Sequence, residues 1–378
     1  MANTAPKVAF YVHALYNGGI ERVLVNLTQQ LVQRGVHIDI VVDCLGYSPF
    51  ANAFPPEVQV IDLKAQKILS RLPKLVQYLR QQQPAVLLSA NHYPNEIAIL
   101  AVRFARIWFK SVTTKIIVSE HTNLSLEANH VPPTSFRHWV AHTARWLYPL
   151  ADQVIAVSQG VAEDLAHITR LPQQQIQTIY NPVITPHLFE QANASAPHPW
   201  FNTPDIPVIL AIGRLEPQKS FATLITAFAQ VRQTRSARLL ILGEGSQRSQ
   251  LTELVQALGL EQEVDMPGFV ANPYACMAHA ALVAVSSVWE GLCNVLIESL
   301  ALGTPVVSTD CPSGPAEILA QGKYGELVPV GDSQALAEAM LKILACPKQP
   351  IASIASDWLN QFTVEQVVQR YLDVFEIV

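Results

Sequence analysis

Charge is scarce in this chain. Asp, Glu, Lys and Arg make up 15% of its 378 residues, while 50% are hydrophobic. That balance excludes a disordered polyelectrolyte and supplies enough apolar surface for two α/β cores, the default at this length. Cysteine is scarce as well. The five present (Cys44, Cys276, Cys293, Cys311, Cys346) are odd in number and form no Cys-x-x-Cys pair. This argues against a disulfide framework or a zinc site and fits reduced thiols in the cytoplasm. No run of about 18 apolar residues occurs, so no transmembrane helix is expected. The richest stretch, Ile97 to Phe109, is broken by Arg103 and Arg106. The start, MANTAPKVAFYVHALYNGG, passes directly into a strand pattern, so no signal peptide is expected.

The net charge of −5 hides an asymmetry. Residues 1–183 hold 15 Lys and Arg against 11 Asp and Glu, or +4; the remainder holds 10 against 19, or −9. A basic first half suits an anionic surface or acceptor. An acidic second half argues against nucleic-acid binding.

In the first half, Lys7 to Leu15 reads as a strand, Tyr16-Asn17-Gly18-Gly19 as a turn and Ile20 to Arg34 as an amphipathic helix. Glycines at a strand-to-helix turn let backbone approach a ligand, though a plain tight turn explains them equally well. Further strands are expected over 58–63, 85–89, 116–119, 154–158 and 176–180, with a helix around 69–82. His121 follows the strand at 116–119, where a polar group would point into the ligand crevice of an open sheet. From position alone, a histidine satisfied by backbone groups is the commoner explanation. Basic and aromatic residues mix at Arg103, Phe104, Arg106, Trp108, Phe109 and Lys110, and again at Phe136, Arg137, Trp139, Arg145 and Trp146. Two readings stay open: a membrane-surface face, or core-packed helices with solvated charges, which is the ordinary case.

Five prolines between Ile184 and Pro207 mark a boundary. We expect an N-terminal domain over 1–184, a linker over 185–207 and a C-terminal domain over 208–356. The segment 357–378 is expected to be helical. In the second half, Arg214 and Lys219 lie five apart in a loop between a strand and a helix, where an arginine fork and a lysine point charge can meet one anion. Strands at 239–243 and 264–270 end in Gly243-Glu244-Gly245 and near Phe269-Val270.

The densest signal is SSVWEGLCNVLIESLALGTPVVSTDCPSGPAEIL, residues 286–319. Glu290 and Glu298 stand eight apart. Glu290 is expected just before a helix and Glu298 about two turns inside it. The start of that helix, Gly291-Leu292-Cys293-Asn294-Val295, offers unpaired N–H groups to a polar ligand.

This string resembles the retaining, nucleotide-sugar-dependent glycosyltransferases of family 4. Their hallmark of two glutamates, a Gly-x-Pro-Val-Val strand and a Gly-x-x-Glu turn matches Glu290, Glu298, 303–307 and 314–317. Gly213-Arg214-Leu215 with Lys219 is similar to their diphosphate loop, with Ser220 in place of the usual glycine. Leu292-Cys293-Asn294 departs from the glycine many members carry.

The resemblance implies the GT-B fold: α/β, two Rossmann-like domains with mainly parallel sheets facing a cleft, and a last helix crossing back to the first domain. It implies transfer of a sugar from a nucleoside diphosphate sugar to a glycan or lipid-linked acceptor hydroxyl. Arg214, Lys219, Glu290 and His121 would be catalytic. Gly18, Gly19, Gly243, Gly245, Phe269, Val270, Gly291, Leu292, Cys293, Asn294, Val295 and Glu298 would bind the donor. The turn at 311–315 resembles members that use UDP-sugars. No Asp-x-Asp motif suggests a metal, and no cofactor is expected. The expected location is the cytoplasm, with peripheral contact at the inner membrane face through the N-terminal domain as a further option. A nucleotide-sugar 2-epimerase and a non-catalytic binding subunit remain alternatives.

Overall fold

The computed structural model describes residues 6–15, 18–45, 53–203, 205–346 and 351–377. Tyr16 and Asn17 of the glycine turn lie outside this set. The chain forms two compact units: residues 1–183 with 362–378, and residues 184–361.

The first unit contains strands β1 (Lys7–Val12), β2 (His37–Val42), β3 (Gln59–Asp62), β4 (Val86–Ala90), β5 (Lys115–Glu120), β6 (Gln153–Ala156) and β7 (Ile176–Thr178). They form one parallel sheet in the order 3-2-1-4-5-6-7. Its helices are α1 (Gly19–Gln33), α2 (Ile68–Gln82), α3 (His92–Trp108), α4 (Leu124–Asn129), α5 (Val140–Leu147) and α6 (Gln159–Thr169). A parallel sheet is covered on both faces, so its strands read as apolar runs; β4, VLLSA, is buried at every residue. The terminal helix, Val364–Phe375, adds Val367, Val368 and Tyr371 to the same core as Val8, Phe10, Leu27 and Leu31.

The second unit holds α7 (Pro186–Ala192), β8 (Val208–Ile212), α8 (Phe221–Thr234), β9 (Arg238–Leu242), α9 (Arg248–Ala257), β10 (Val264–Gly268), α10 (Pro273–His279), β11 (Leu282–Val285), α11 (Asn294–Ala301), β12 (Val306–Thr309), α12 (Pro315–Ile318), β13 (Glu326–Val328) and α13 (Ser333–Ala345). Its six parallel strands run 10-9-8-11-12-13. The register shifts inside β10 between Asp265 and Gly268, around a proline that cannot donate to the ladder. The proline-rich stretch folds against this unit. It carries α7, His198 Nε2 lies 2.9 Å from Asp265 Oδ2, and Asn272 Nδ2 donates to the Gln191 carbonyl at 2.9 Å.

Two local expectations are corrected. Helix α11 starts only at Asn294, so Glu298 is its fifth residue, little more than one turn in. Before it, Gly291-Leu292-Cys293 is not helical and packs under the turn at Gly314, where a Cβ would meet Cys293 N at 3.2 Å and Leu292 Cα at 3.3 Å. The helical stretch over 357–375 is also broken. A short helix, Ser356–Leu359, runs into a 3-10 turn at Asn360–Phe362 before the terminal helix begins.

Strand order reverses direction between β1 and β4 in the first sheet and between β8 and β11 in the second. In open α/β sheets, ligands bind beyond the carboxyl ends of the strands at such points. The loops that follow β8 and β11 are Gly213–Ser220 and Ser286–Cys293.

Candidate active site

Those two loops are stitched together. Leu215, fully buried, anchors the first loop and its N–H donates to the Glu244 carbonyl at 2.9 Å. One 3-10 turn, Pro217–Lys219, follows, and Ser220 adopts φ +47°. That left-handed conformation is free for glycine and costs a serine roughly 1–2 kcal/mol. Val288 N–H donates to the Gln218 carbonyl at 2.8 Å, Gln218 Nε2 to the Trp289 carbonyl at 2.9 Å, and Ser286 Oγ to the Lys219 carbonyl at 2.8 Å.

This frame sets Lys219 against Glu290. The ammonium donates to Glu290 Oε1 at 2.6 Å, and Ser287 Oγ donates to the same oxygen at 2.6 Å. Among the described residues no hydrogen bond reaches Oε2. The Glu290 carboxylate is buried. Burial alone would depress the Lys219 pKa, but the Glu290 charge and hydrogen bond outweigh it and raise the pKa above its ordinary value. Arg214 is exposed at the head of the loop and close enough to oppose that rise. Fixed positive charge therefore collects at one strand end, in a site already partly removed from water.

The glycines explain how tightly the loops meet. A Cβ on Gly243, whose φ is +143°, would fall 2.0 Å from the Gly213 carbonyl oxygen, and one on Gly245 would fall 2.4 Å from that of Leu215. Both positions need glycine so that the turn after β9 can press on the Arg214 loop. Phe269, exposed, and Val270 follow Gly268, whose carbonyl accepts from Gly243 N–H at 2.9 Å. They border this turn and make no hydrogen bond to Lys219 or Glu290.

Helix α11 begins beside Glu290. No side chain caps it at Cys293, and Asn294 and Val295 at its start are half-buried. Further along, Glu298 is buried, and Tyr274 OH from α10 donates to its Oε1 at 3.3 Å. Burial holds the Cys311 thiol up at about 12 and raises that of Cys293 far above its ordinary value, so both stay neutral.

Gly18, Gly19 and His121 belong to the first unit. Gly18 caps α1 without a side chain, and Gly19 is the first residue of that helix. His121 follows β5. Its Nε2 lies 3.2 Å from Ser119 Oγ, and its N–H donates to Glu120 Oε1 at 3.0 Å. Burial pushes its imidazole down to about 4, so it is neutral at pH 7. Glu120 is wholly buried, accepts from Tyr148 OH at 2.7 Å, and is pushed by burial up to about 8.

Several partners were not singled out from the sequence. Ser287 and Tyr274 hold the two glutamates, and Glu120 backs His121. At the ends of β1 and β2, Asp43 gathers Tyr11 OH at 2.6 Å, His13 Nδ1 at 2.8 Å and Arg71 Nε at 3.1 Å. The only cue in the chain is that His13, Asp43 and Glu120 each close an apolar strand run.

Two Rossmann-like parallel sheets, with a lysine, an arginine and a helix start that no side chain caps at the second switch point, suit an anionic ligand at the strand ends. Models of two families match the chain: Glycosyltransferase Family 4 over residues 17–186 and Glycosyl transferases group 1 over 197–354. A Campylobacter jejuni protein, the N-acetylgalactosamine-N,N'-diacetylbacillosaminyl-diphospho-undecaprenol 4-alpha-N-acetylgalactosaminyltransferase, is 30% identical over 89% of this chain and 90% of its own. A second from that organism, an alpha-1,4-N-acetyl-D-galactosaminyltransferase acting on a diNAcBac-PP-undecaprenol-linked glycan, is 28% identical over 97% of both chains. Among solved structures, Anabaena Alr3699/HepE in complex with UDP and glucose superposes with a TM-score of 0.76 at 21% identity, over 99% of this chain and 100% of the other. The chain belongs to the group 1/family 4 glycosyltransferases and has their GT-B fold. It is a retaining hexosyltransferase of a family that generally works without metal.

Proposed function

We propose that this enzyme moves a hexosyl residue from a UDP-sugar to a hydroxyl of a lipid-linked glycan, in the assembly of a polysaccharide or glycolipid. The observation that carries the reading is the Lys219–Glu290 contact at the end of β8 and β11, with Arg214 in electrostatic reach. The lipid-linked acceptor is supported by the undecaprenol-linked glycans named for the two Campylobacter relatives, and UDP by the nucleotide held in the Anabaena protein.

In this reading Arg214, Lys219 and the start of α11 neutralise the departing diphosphate, with no step assigned to a metal. Lys219 turns from Glu290 toward a phosphate oxygen when the donor enters. Glu290, held by Ser287 through Oε1, offers Oε2 to a sugar hydroxyl and stabilises positive charge at the anomeric carbon. Glu298 accepts from the ribose hydroxyls. Gly243, Gly245 and the backbone of 291–295 line the donor, with Phe269 and Val270 at the base. In the first unit, Gly18 and Gly19 are assigned to the donor diphosphate and the acceptor, and neutral His121 acts through an imidazole hydrogen bond.

A thermal-shift panel of UDP-, GDP- and ADP-sugars tests the donor assignment. Selective stabilisation by UDP-sugars supports it, and a preference for another base sinks it. Release of an epimerised nucleotide sugar without any acceptor would instead favour the epimerase alternative.

A further inference from the structure

We infer that Ser119 and Tyr371 are positioning residues: they hold the proton of the His121 imidazole on Nδ1, so the ring meets substrate as a hydrogen-bond donor and not as a base. The strand supplies the alignment. Side chains alternate across a strand, so Lys115, Ile117 and Ser119 share one face of β5, and His121 continues it. The terminal helix lies along that face. Lys115 Nζ donates to the Val374 carbonyl at 2.9 Å, Ile117 belongs to the same buried cluster as Val367 and Tyr371, and the Tyr371 hydroxyl hydrogen-bonds Ser119. Glu120 takes the opposite face, where Tyr148 holds it.

The direction of the hydrogen bonds follows from counting protons. Tyr371 and Ser119 are each 1% exposed, so neither hydroxyl turns to water. Burial pushes the Tyr371 phenol up to about 12, so it keeps its proton at neutral pH. Among the described residues Ser119 is the one group that this phenol hydrogen-bonds, and a buried O–H takes an acceptor where one is in reach. Tyr371 therefore donates to Ser119 Oγ. A serine hydroxyl has a single proton of its own, and the other partner of Ser119 Oγ is His121 Nε2, 3.2 Å away. Ser119 donates to that nitrogen. With Nε2 as acceptor, the proton of the neutral ring sits on Nδ1.

Nδ1 is the open edge of the ring. His121 is half-buried, and among the described residues no hydrogen bond reaches its Nδ1. The residue stands past the carboxyl end of β5, the side on which open α/β sheets take their ligands. An N–H there suits a lone pair on a substrate oxygen. The one lone pair in the plane of the ring is already closed by Ser119, so His121 cannot accept a proton from an attacking hydroxyl. The relay thus removes His121 from the list of groups that could activate the acceptor. It also gives the terminal helix a part in setting the site, through a tyrosine that touches no substrate.

That His121 meets substrate rests on the function proposed above; its tautomer does not. The test is a long-range proton–nitrogen correlation spectrum of the full chain carrying 15N-histidine, with His121 assigned by the signals that His121→Asn removes. We expect a protonated Nδ1 and a bare Nε2 at neutral pH. Ser119→Ala and Tyr371→Phe each remove one oxygen and keep the packing. Both should lose the single tautomer, and kcat should fall about tenfold with the donor KM held within about twofold. Ser119→Thr, which keeps the hydroxyl, should retain the tautomer. A protonated Nε2 in the parent overturns the inference, as does a parental tautomer in both Ser119→Ala and Tyr371→Phe. Unaltered turnover in a variant whose tautomer has shifted overturns the positioning role. Failure of UDP to stabilise the parent sinks the donor assignment alone, because the nitrogen spectrum is read without substrate.

Discussion

Lys219 and Glu290 stand 71 positions apart in the chain, yet the ammonium lies 2.6 Å from the carboxylate, which Ser287 also grips. The pair couples the loop that should neutralise a diphosphate to the residue that should face the sugar. Neither can be changed without altering the other.

Replacing Lys219 with alanine should lower kcat/KM by about 100-fold or more, the scale for losing a preorganised charge at a departing anion. Lys219→Arg should not rescue it, because a planar fork does not fit a point-charge position. In a double-mutant cycle, adding Glu290→Gln should cost far less than it does alone. Steady-state kinetics decides; additive losses would separate the two residues.

Gly243→Ala should lower stability by about 2–3 kcal/mol, because the new carbon lands on the Gly213 backbone, which cannot give way. Gly259→Ala is the control. Its φ is also positive, at +65°, but nothing lies within 4 Å of its added carbon, so only the conformational cost of about 1 kcal/mol applies. Chemical denaturation gives both values. UDP binding should fall only in the first variant.

Stability should fall as pH rises from about 6.5 to 8. The Glu120 carboxyl is pushed up to about 8 by burial, so the folded chain holds a proton that the unfolded chain has already lost. Its contribution is whole below the unfolded carboxylate pKa and disappears through pH 8. His121, held at about 4, has the opposite sign: its contribution is present above pH 6.5 and lost as pH falls toward 4. The two oppose each other at acid pH and leave Glu120 alone above it. Glu120→Gln should therefore flatten the slope between pH 6.5 and 8, by up to about 1.4 kcal/mol per pH unit relative to the parent. Denaturant midpoints measured across that range test it.

Glu298→Gln should raise the donor KM about tenfold and leave kcat within about twofold, since ribose contacts are made equally before and during transfer. A fall in kcat with unchanged KM would move Glu298 into the chemical step.

Much of this was legible because the chemistry is local in the chain. Residues 286–319 carry Glu290, Glu298, β12 and the Gly314 turn in one string, and parallel strands such as β4 are apolar throughout. What stayed hidden depends on how loops and helices fold back on one another. Ser287 looks like any hydroxyl until its loop bends it onto Glu290, and Tyr274 until α10 meets α11 at Glu298. Asp43, after β2, gathers Tyr11 and His13 from β1 and its end and Arg71 from α2, and no spacing announces such a meeting. The depth of Glu298 was misjudged because helical periodicity continues through Cys293, while residues 291–293 are not helical and pack under the turn at Gly314. The aromatic stripe of α3 was visible as composition, but its outward direction was not: a helix rich in Ile, Leu, Phe and Trp is normally core.

The terminal helix closes a core that the first strands began. On a ribosome the second unit, one uninterrupted segment, is free to condense as soon as it emerges. The first must wait for the terminal helix at 364–375, roughly 10–40 s of translation after Val183 is added. During that interval the part of α1 that the terminal helix covers is bare, so chaperone demand and sensitivity to premature stop codons should concentrate in the first unit.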